Sequence, residues 1–142
     1  MDTVVQLRPY REDDEDSVTA LWNSVFPDPT PWNEPRLVIA RKLALQRELF
    51  FVAVSEGAVV GTAMGGFDGH RGWLYTVAVR PDKQRRAIGS ALVRRIETAL
   101  AALGCPKLNL QVRSPNMGAV AFYESLGYSV EERISMGKRL GG

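Results

Sequence analysis

The sequence has only one cysteine, Cys105, and one histidine, His70, among its 142 residues. A single cysteine excludes an intrachain disulfide and is typical of a protein from a reducing compartment. Zinc sites need several cysteine and histidine ligands at short spacings, and this sequence has no such set. We therefore expect neither a disulfide framework nor a resident metal.

Long apolar runs are also missing. A membrane-spanning helix needs about 18–20 consecutive apolar residues, and no segment of the sequence provides them. The first sixteen residues are acidic and lack the apolar centre of a secretory signal. The expected location is therefore the cytoplasm, with no membrane partner.

The composition that is present is that of a globular protein. Apolar residues make up 45% and charged residues 24% of the chain, which is close to the averages for soluble domains. The length lies within the commonest range for one domain, about 100–150 residues. Because no repeat, low-complexity segment or linker divides the sequence, we expect a single domain over residues 1–142.

The charge is nearly balanced, with 18 basic and 16 acidic residues and a formal net charge of +2. A value this small does not indicate a nucleic-acid partner. The basic residues are nevertheless concentrated, since residues 80–95 contain six of them and one acid. This segment favours a small polyanion over a long one, although a solvated helix face rich in arginine is an equally good interpretation of the charge alone.

Hydrophobic periodicity and turn residues predict alternating strands and helices. The expected order is β-α-α-β-β-β-α-β-α-β, an α/β fold with a sheet of mixed direction. Asn33 is the expected cap of the second helix. The predicted strands cover residues 4–7, 50–54, 59–67, 73–79, 108–112 and one or two segments within 128–140, and the predicted helices cover about 16–25, 34–46, 88–103 and 116–123.

A basic turn of small residues separates the predicted strand at 73–79 from the long helix at 88. The N–H groups of a helix's first turn lack partners within the helix and carry partial positive charge, so they bind phosphate. Ala87 and Gly89 leave the backbone accessible, and Arg85 and Arg86 add charge. The motif is neither a Walker loop nor a dinucleotide-binding glycine loop. It predicts a phosphate site of moderate specificity.

The same turn carries a resemblance to a known family. Gln84-x-x-Ala87-x-Gly89, between a strand and a long helix, resembles the Gln/Arg-x-x-Gly-x-Gly/Ala signature of the GNAT acyl-CoA N-acyltransferases. Ala87 stands where the family usually has glycine. This replacement is mild if the residue has a negative φ and costly if φ is positive.

A second block is similar to the family as well, with Asn116, Tyr123 and the pair Gly127-Tyr128 at the expected spacing. Segments 31–35, 66–72 and 104–107 are further similar to the YpeA-like subgroup of bacterial acetyltransferases. The element order matches over nearly the whole chain. The resemblance implies one GNAT-like domain with a mixed, mostly antiparallel sheet of six to seven strands, splayed between strands 4 and 5, and about four helices on both faces.

The resemblance also implies that acetyl-CoA is the cosubstrate and that no metal is needed. The pantetheine arm would pair with the backbone of strand 4, and the diphosphate would bind the amides of the turn. Asn116 would hydrogen-bond the arm, with a simple helix cap as the alternative interpretation. The implied cofactor-binding residues are Val77, Ala78, Val79, Gln84, Arg85, Arg86, Ala87, Ile88, Gly89, Ser90 and Asn116.

The implied reaction is direct attack of a primary amine on the thioester in a ternary complex. A backbone N–H near Val77 would stabilise the oxyanion, and Tyr123 would hold or protonate the departing thiolate. A core tyrosine with its hydroxyl at the rim is the structural alternative for Tyr123.

The sequence contains no obvious general base. Family members that acetylate ribosomal-protein N-termini carry a glutamate on the strand before the asparagine block, and Gln111 occupies that position here. An amide cannot accept a proton at neutral pH. The candidate replacements are Glu34, Asp68, His70, or a water held by Tyr75 and Gln111. Without a strong base, the expected acceptor is an α-amine or a small amine of low pKa rather than bulk lysine.

The acceptor site is expected to use the loop at 26–33, the start of the strand at 73–79 and the C-terminal strands. Trp32, Trp73 and Tyr75 are candidate contacts, with Glu34 and Gln111 also near the expected site. This side is expected either to be open or to be closed by a second subunit in a homodimer. The acceptor itself is expected to be a small molecule or the N-terminus of a protein or peptide.

Two other classes of function fit the sequence. A domain of the same fold that binds or senses acyl-CoA without turnover would be compatible with both Ala87 and Gln111. A nucleotide-binding or nucleic-acid-binding domain would use the basic segment at 80–95. That segment contains no aromatic residue for base stacking.

Overall fold

The structure is a computed structural model that describes residues 4–26, 30–84, 87–113 and 116–141. The chain divides into two compact units, residues 1–111 and residues 112–142. Arg85 and Arg86, which the sequence analysis assigned to the phosphate site, lie outside the described residues.

The first unit contains a five-stranded sheet in the order β1-β2-β3-β4-β5. The first four strands are antiparallel neighbours, and β5 lies parallel to β4. Glu56 and Gly57 both have positive φ in the turn between β2 and β3, which is the pattern of a type I′ hairpin. The strands are β1 (Gln6–Pro9), β2 (Phe50–Ser55), β3 (Ala58–Phe67), β4 (Gly72–Val79) and β5 (Leu108–Leu110).

Three helices of the first unit cover both faces of this sheet: α1 (Glu15–Val25), α2 (Pro35–Ala44) and α3 (Ile88–Ala102). The predicted cap of α2 at Asn33 is wrong by one residue. The Glu34 side chain caps this helix by accepting from the backbone N–H of Leu37 at 3.1 Å. Pro35 then occupies the first helical position, where its missing N–H costs nothing.

Glycines of β3 allow α3 to approach the sheet closely. A Cβ atom at Gly65 would lie 2.8 Å from Cγ2 of Ile96, and one at Gly61 would lie 3.0 Å from Cδ1 of Leu92. Side chains alternate along a strand, so Thr62 and Met64 point to the opposite face, where α1 and α2 pack. The core on that side includes Tyr10, Trp22, Ile39, Phe50 and Met64.

The second unit contains α4 (Met117–Ser125), which is capped by Asn116. Gly127 follows the helix with a φ of +98°, as is usual for a helix stop. Residues 128–141 form no strand, so the prediction of one or two strands there is wrong. Val130, Ile134 and Met136 are 75–91% exposed, and a strand forms only where a neighbour pairs with its backbone.

The α/β class and the placement of helices on both faces of the sheet are confirmed, and the strand count is corrected. The described residues contain five strands, rather than six to seven, because the expected C-terminal strands are not formed. None of their helices combines the length and the apolar character that a bilayer crossing requires.

Candidate functional site

The sheet opens between β4 and β5. Only three residue pairs join the two strands, and the last is Leu74 with Leu110. β4 continues through Val79, so its backbone from residue 75 to residue 79 has no strand beside it on this edge among the residues described. An unpaired strand edge can accept an extended ligand by β-strand addition.

A bulge interrupts β4 at the start of this open edge. Met64 of β3 pairs with Tyr75 and Thr62 pairs with Ala78, so β4 has one extra residue between these two pairs. Thr76 lies in the bulge with a φ of +55°. A positive φ is rare for a β-branched residue and persists only where surrounding contacts hold it.

A buried hydrogen-bond chain holds the bulge. Trp22 Nε1 donates to Thr62 Oγ1 at 2.9 Å, and Thr62 Oγ1 donates to the carbonyl of Thr76 at 3.0 Å. Thr62 is fully buried. The peptide bond is trans, so the N–H of Val77 points away from Thr62 when the Thr76 carbonyl points toward it. Such a fixed N–H can stabilise a developing oxyanion.

The turn after β4 leads directly to the N-terminus of α3. Gln84 donates its side-chain amide to the carbonyl of Val79 at 3.0 Å and thereby closes the turn. Ala87 precedes the helix with a φ of +62°. The N–H groups of Ile88, Gly89 and Ser90 belong to the first helical turn, where no intrahelical acceptor is available. The predicted anion site therefore rests on backbone donors of α3.

Ala87 stands where the family usually has glycine, and its positive φ means that this alanine is strained. Ala87→Gly is expected to raise the free energy of unfolding by about 1 kcal/mol, because glycine adopts this conformation without a Cβ clash. Urea denaturation measures the change. As a control, Ala99→Gly inside α3 is expected to lower stability by about 1 kcal/mol. An Ala87→Gly protein that is less stable than the parent would contradict the assigned strain.

A cleft of about 500 Å³ is lined in part by Trp73 and Tyr75, in the first half of β4. Aromatic and aliphatic side chains form most of its wall. Trp32, Trp73 and Tyr75 are each about 40% exposed, as suits contacts for a ligand. The lining residues are Trp32, Asn33, Val38, Arg41, Lys42, Leu45, Gln46, Met64, Gly66, Phe67, Asp68, Trp73 and Tyr75.

Lys42 is a cleft residue that the sequence analysis missed. It is only 7% exposed, and its ammonium group donates to the carbonyl of Gly65 and lies 5.4 Å from the centre of the Tyr75 ring. Burial lowers the pKa of Lys42. The sequence offers only a weak signal for this burial, since Lys42 lies four residues after the partly buried Val38 and therefore on the same face of α2.

The candidate bases are not assembled into one site. Asp68 lines the cleft, but its Oδ1 accepts from the backbone N–H groups of Arg71 and His70, each at 2.7 Å. These hydrogen bonds lower the pKa of Asp68, which makes it a weaker base. Glu34 caps α2, and neither Glu34 nor Gln111 is among the lining residues of the cleft.

The second unit holds the two remaining predicted site residues. The side-chain oxygen of Asn116 accepts from the N–H of Ala119 at 3.1 Å, so Asn116 is a helix cap. Tyr123 is partly buried between two rings, with centroid distances of 4.9 Å to Phe122 and 5.8 Å to Tyr128. Burial raises the pKa of Tyr123, which keeps its phenol protonated at neutral pH.

The sequence profile described as the acetyltransferase (GNAT) family matches residues 15–128, more than half of the chain. The protein belongs to the GNAT family. An acetyltransferase of Yersinia pestis (strain Pestoides F) is 43% identical over 136 residues, which is 96% of each chain. An acetyltransferase of Sodalis glossinidius is 44% identical over 137 residues, again 96% of each chain.

Solved GNAT structures have the same fold. The aminoglycoside N-acetyltransferase AAC(6')-Iy, solved in complex with CoA, gives a TM-score of 0.79 at 15% identity over 98% of this chain and 97% of its own. The ribosomal-protein-S18-alanine N-acetyltransferase from Escherichia coli gives 0.70 at 26% identity, over 87% of this chain and 77% of its own. The predicted family and enzyme class are confirmed: this GNAT protein is an acetyl-CoA-dependent N-acetyltransferase.

Among the residues described, no group of three or more histidine, cysteine, aspartate or glutamate side chains is arranged to hold a metal ion. The described residues place backbone N–H groups at the bulge and at the start of α3, and they form an aromatic cleft lined by Trp73 and Tyr75 of β4.

Proposed function

We propose that this GNAT enzyme transfers the acetyl group of acetyl-CoA directly to a primary amine while both substrates are bound. The observation that carries the proposal is the position of Tyr75, which lines the cleft and begins the open edge of β4. An amine in the cleft and a thioester along this edge would meet beside the bulge at Thr76. The transfer forms a C–N bond, breaks the C–S bond and releases CoA as its thiol.

The backbone donors suit the two polar parts of acetyl-CoA. Residues 77–79 would pair with the pantetheine arm as an added strand, and the N–H groups of residues 87–90 would bind the diphosphate with support from the helix dipole. The Asn116 side-chain oxygen is occupied as a cap, so a contact from Asn116 to the arm would use its amide nitrogen. Charge from Arg85 and Arg86 would add to this attraction.

Two groups would act on the reacting atoms. The N–H of Val77 would stabilise the oxyanion that forms when the amine adds to the thioester carbonyl. The phenol of Tyr123 would give its proton to the departing thiolate and would then regain a proton from water. Each proton lost by the amine would pass to water, because the carboxylate of Asp68 is weakened as a base by its two hydrogen bonds.

The absence of a strong base among the described cleft residues favours an acceptor of low amine pKa. Deprotonating a lysine amine, pKa about 10.4, costs roughly 4–5 kcal/mol at pH 7, whereas an α-amine of pKa about 8 costs only about 1.4 kcal/mol. We therefore assign the acceptor to α-amines of peptides or to small amines, rather than to bulk lysine.

A thiol-release assay with acetyl-CoA tests the proposal over amino acids, peptide N-termini, polyamines and aminoglycosides. We expect CoA release to match the amount of acetylated amine, with kcat/KM higher for α-amines than for lysine ε-amines at pH 7. Mass spectrometry of the products identifies the acetylated nitrogen. CoA binding without turnover on any amine would instead favour an acyl-CoA-binding module, and faster transfer to ε-amines would contradict the assigned acceptor class.

A further inference from the structure

Most polar side chains of the cleft already form hydrogen bonds within the protein. Gln46 donates to the carbonyl of Phe67 at 2.7 Å and accepts from its N–H at 2.9 Å. Asp68 closes its own turn, and Arg41 donates to the carbonyl of Trp32 at 3.0 Å. A ligand therefore has few side-chain partners other than Lys42.

Lys42 is the exception because its charge is buried without a carboxylate within ion-pair distance among the described residues. An ammonium group has three N–H donors, and the carbonyl of Gly65 accepts from one of them. Glu48 contributes a more distant attraction. A buried charge is stable only when it is paired or well solvated by hydrogen bonds, so Lys42 is suited to an anionic group that arrives with the ligand.

The location of Lys42 connects this charge to the reaction. Its ammonium group lies 5.4 Å from the centre of the Tyr75 ring, and Tyr75 is the residue immediately before the bulge at Thr76. An anion held by Lys42 would thus lie close to the open edge of β4. Around it, Trp32, Trp73 and Phe67 supply apolar walls.

We propose that the acceptor is a small amino carboxylate with an apolar side chain, whose carboxylate pairs with Lys42. The inference rests on the proposed acetyl transfer and specifies its acceptor. The aromatic walls would take the apolar side chain, while the carboxylate at Lys42 would direct the neighbouring amine toward the bulge. A polycationic amine would meet repulsion from Lys42 and Arg41 in the same cleft.

A carboxylate partner also suits the buried ammonium group of Lys42 itself. Burial alone already lowers the pKa of Lys42. A carboxylate partner opposes that shift and would keep the side chain charged.

Three matched acceptors test the inference with the wild-type enzyme: phenylalanine, phenylalaninamide and phenethylamine. They share the apolar side chain, but only phenylalanine carries a carboxylate. The amide has the more easily deprotonated amine, so a preference for phenylalanine cannot arise from amine pKa. We expect kcat/KM to be at least tenfold higher for phenylalanine. Equal values, or higher values for either uncharged analogue, would overturn the inference.

Variants of Lys42 test whether this residue causes the preference for phenylalanine. Lys42→Met keeps the length of the side chain and is expected to lower kcat/KM for phenylalanine by about 30-fold, with little change for phenethylamine. Lys42→Arg should restore part of the loss. Arg36→Gln is the control, since Arg36 lies on the same helix but pairs with Glu15 and Asp16 at the surface. An equal loss on both acceptors in Lys42→Met would contradict a carboxylate-specific role.

Calorimetry with N-acetylphenylalanine and CoA separates this inference from the proposed reaction. N-acetylphenylalanine carries the carboxylate without needing turnover. Binding that is lost in Lys42→Met supports the inference even if no amine is acetylated, in which case only the proposed reaction fails. If other amines are acetylated but N-acetylphenylalanine does not bind, the inference is overturned and the proposed reaction stands.

Discussion

Replacing Tyr123 with phenylalanine is expected to lower kcat for acetyl transfer by about 100-fold, with little change in the affinity for CoA. A positioned proton donor contributes about 10²–10⁴-fold to a rate, and Tyr123→Phe removes only the hydroxyl. The ring remains to pack against Phe122 and Tyr128. Steady-state kinetics with the best acceptor, together with CoA titration, measures the two quantities.

The pH profile provides a second check on Tyr123. Burial raises its pKa above the ordinary value of 10.0, so the phenol is protonated throughout the neutral range and loses its proton only under strongly alkaline conditions. The contribution of Tyr123 to kcat should therefore be constant from pH 7 to about pH 9. Tyr128→Phe makes the same chemical change at a neighbouring ring and serves as the control. An unchanged kcat in Tyr123→Phe would support the core-tyrosine interpretation instead.

Replacing Thr62 with valine is expected to lower the free energy of unfolding by about 2–6 kcal/mol. The isosteric change leaves Trp22 Nε1 and the carbonyl of Thr76 without the partner described above. Each buried polar group without a partner costs about 1–3 kcal/mol. Urea denaturation measures the loss, and Thr62→Ser, which keeps the hydroxyl, should lose only about 1 kcal/mol through the missing methyl group.

The same pair of variants tests whether the hydrogen-bond chain positions the bulge for catalysis. Both variants are compared under conditions where they are folded. Thr62→Val should then lower kcat while KM changes little, because the N–H of Val77 is no longer fixed. Thr62→Ser should retain most of the activity. If the two variants have the same kcat, the chain supports stability alone.

The parts of the site that a sequence can predict are those encoded locally. The strand ending near Val79, the small residues at Ala87 and Gly89 and the periodic helix that follows lie within one short stretch. They predicted the turn and the start of α3, and the anion site there stays a prediction. The resemblance also indicated that Ala87 stands where the family usually has glycine. Only the backbone geometry, a φ of +62°, could decide that the replacement is costly.

The parts that were missed depend on contacts between distant segments. The bulge at Thr76 needs a hydroxyl from β3 and an indole from α1, and threonine is not a residue whose presence indicates a positive φ. Lys42 belongs to a basic pair at the end of a helix, which usually indicates a solvated terminus. Its burial depends on β3 and on Tyr75, far away in the sequence.

The wrong predictions have a related cause. The apolar residues of 128–140 were assigned to strands because their composition suits a sheet, yet strand formation depends on an available neighbour rather than on composition alone. The cap of α2 was assigned to Asn33, but the carboxylate of Glu34 accepts a hydrogen bond in the first turn of that helix. This local role competes with the role of Glu34 as a base, which stays a prediction.

The short ladder between β4 and β5 has a consequence for the enzyme without substrate. An open strand edge can pair with another extended chain, so we expect the enzyme to self-associate more readily when acetyl-CoA is absent. A pantetheine arm bound along the open edge of β4 would block this pairing in addition to carrying the acetyl group. The concentration of acetyl-CoA would then affect self-association as well as turnover. A ligand that binds only the native state also stabilises that state against unfolding.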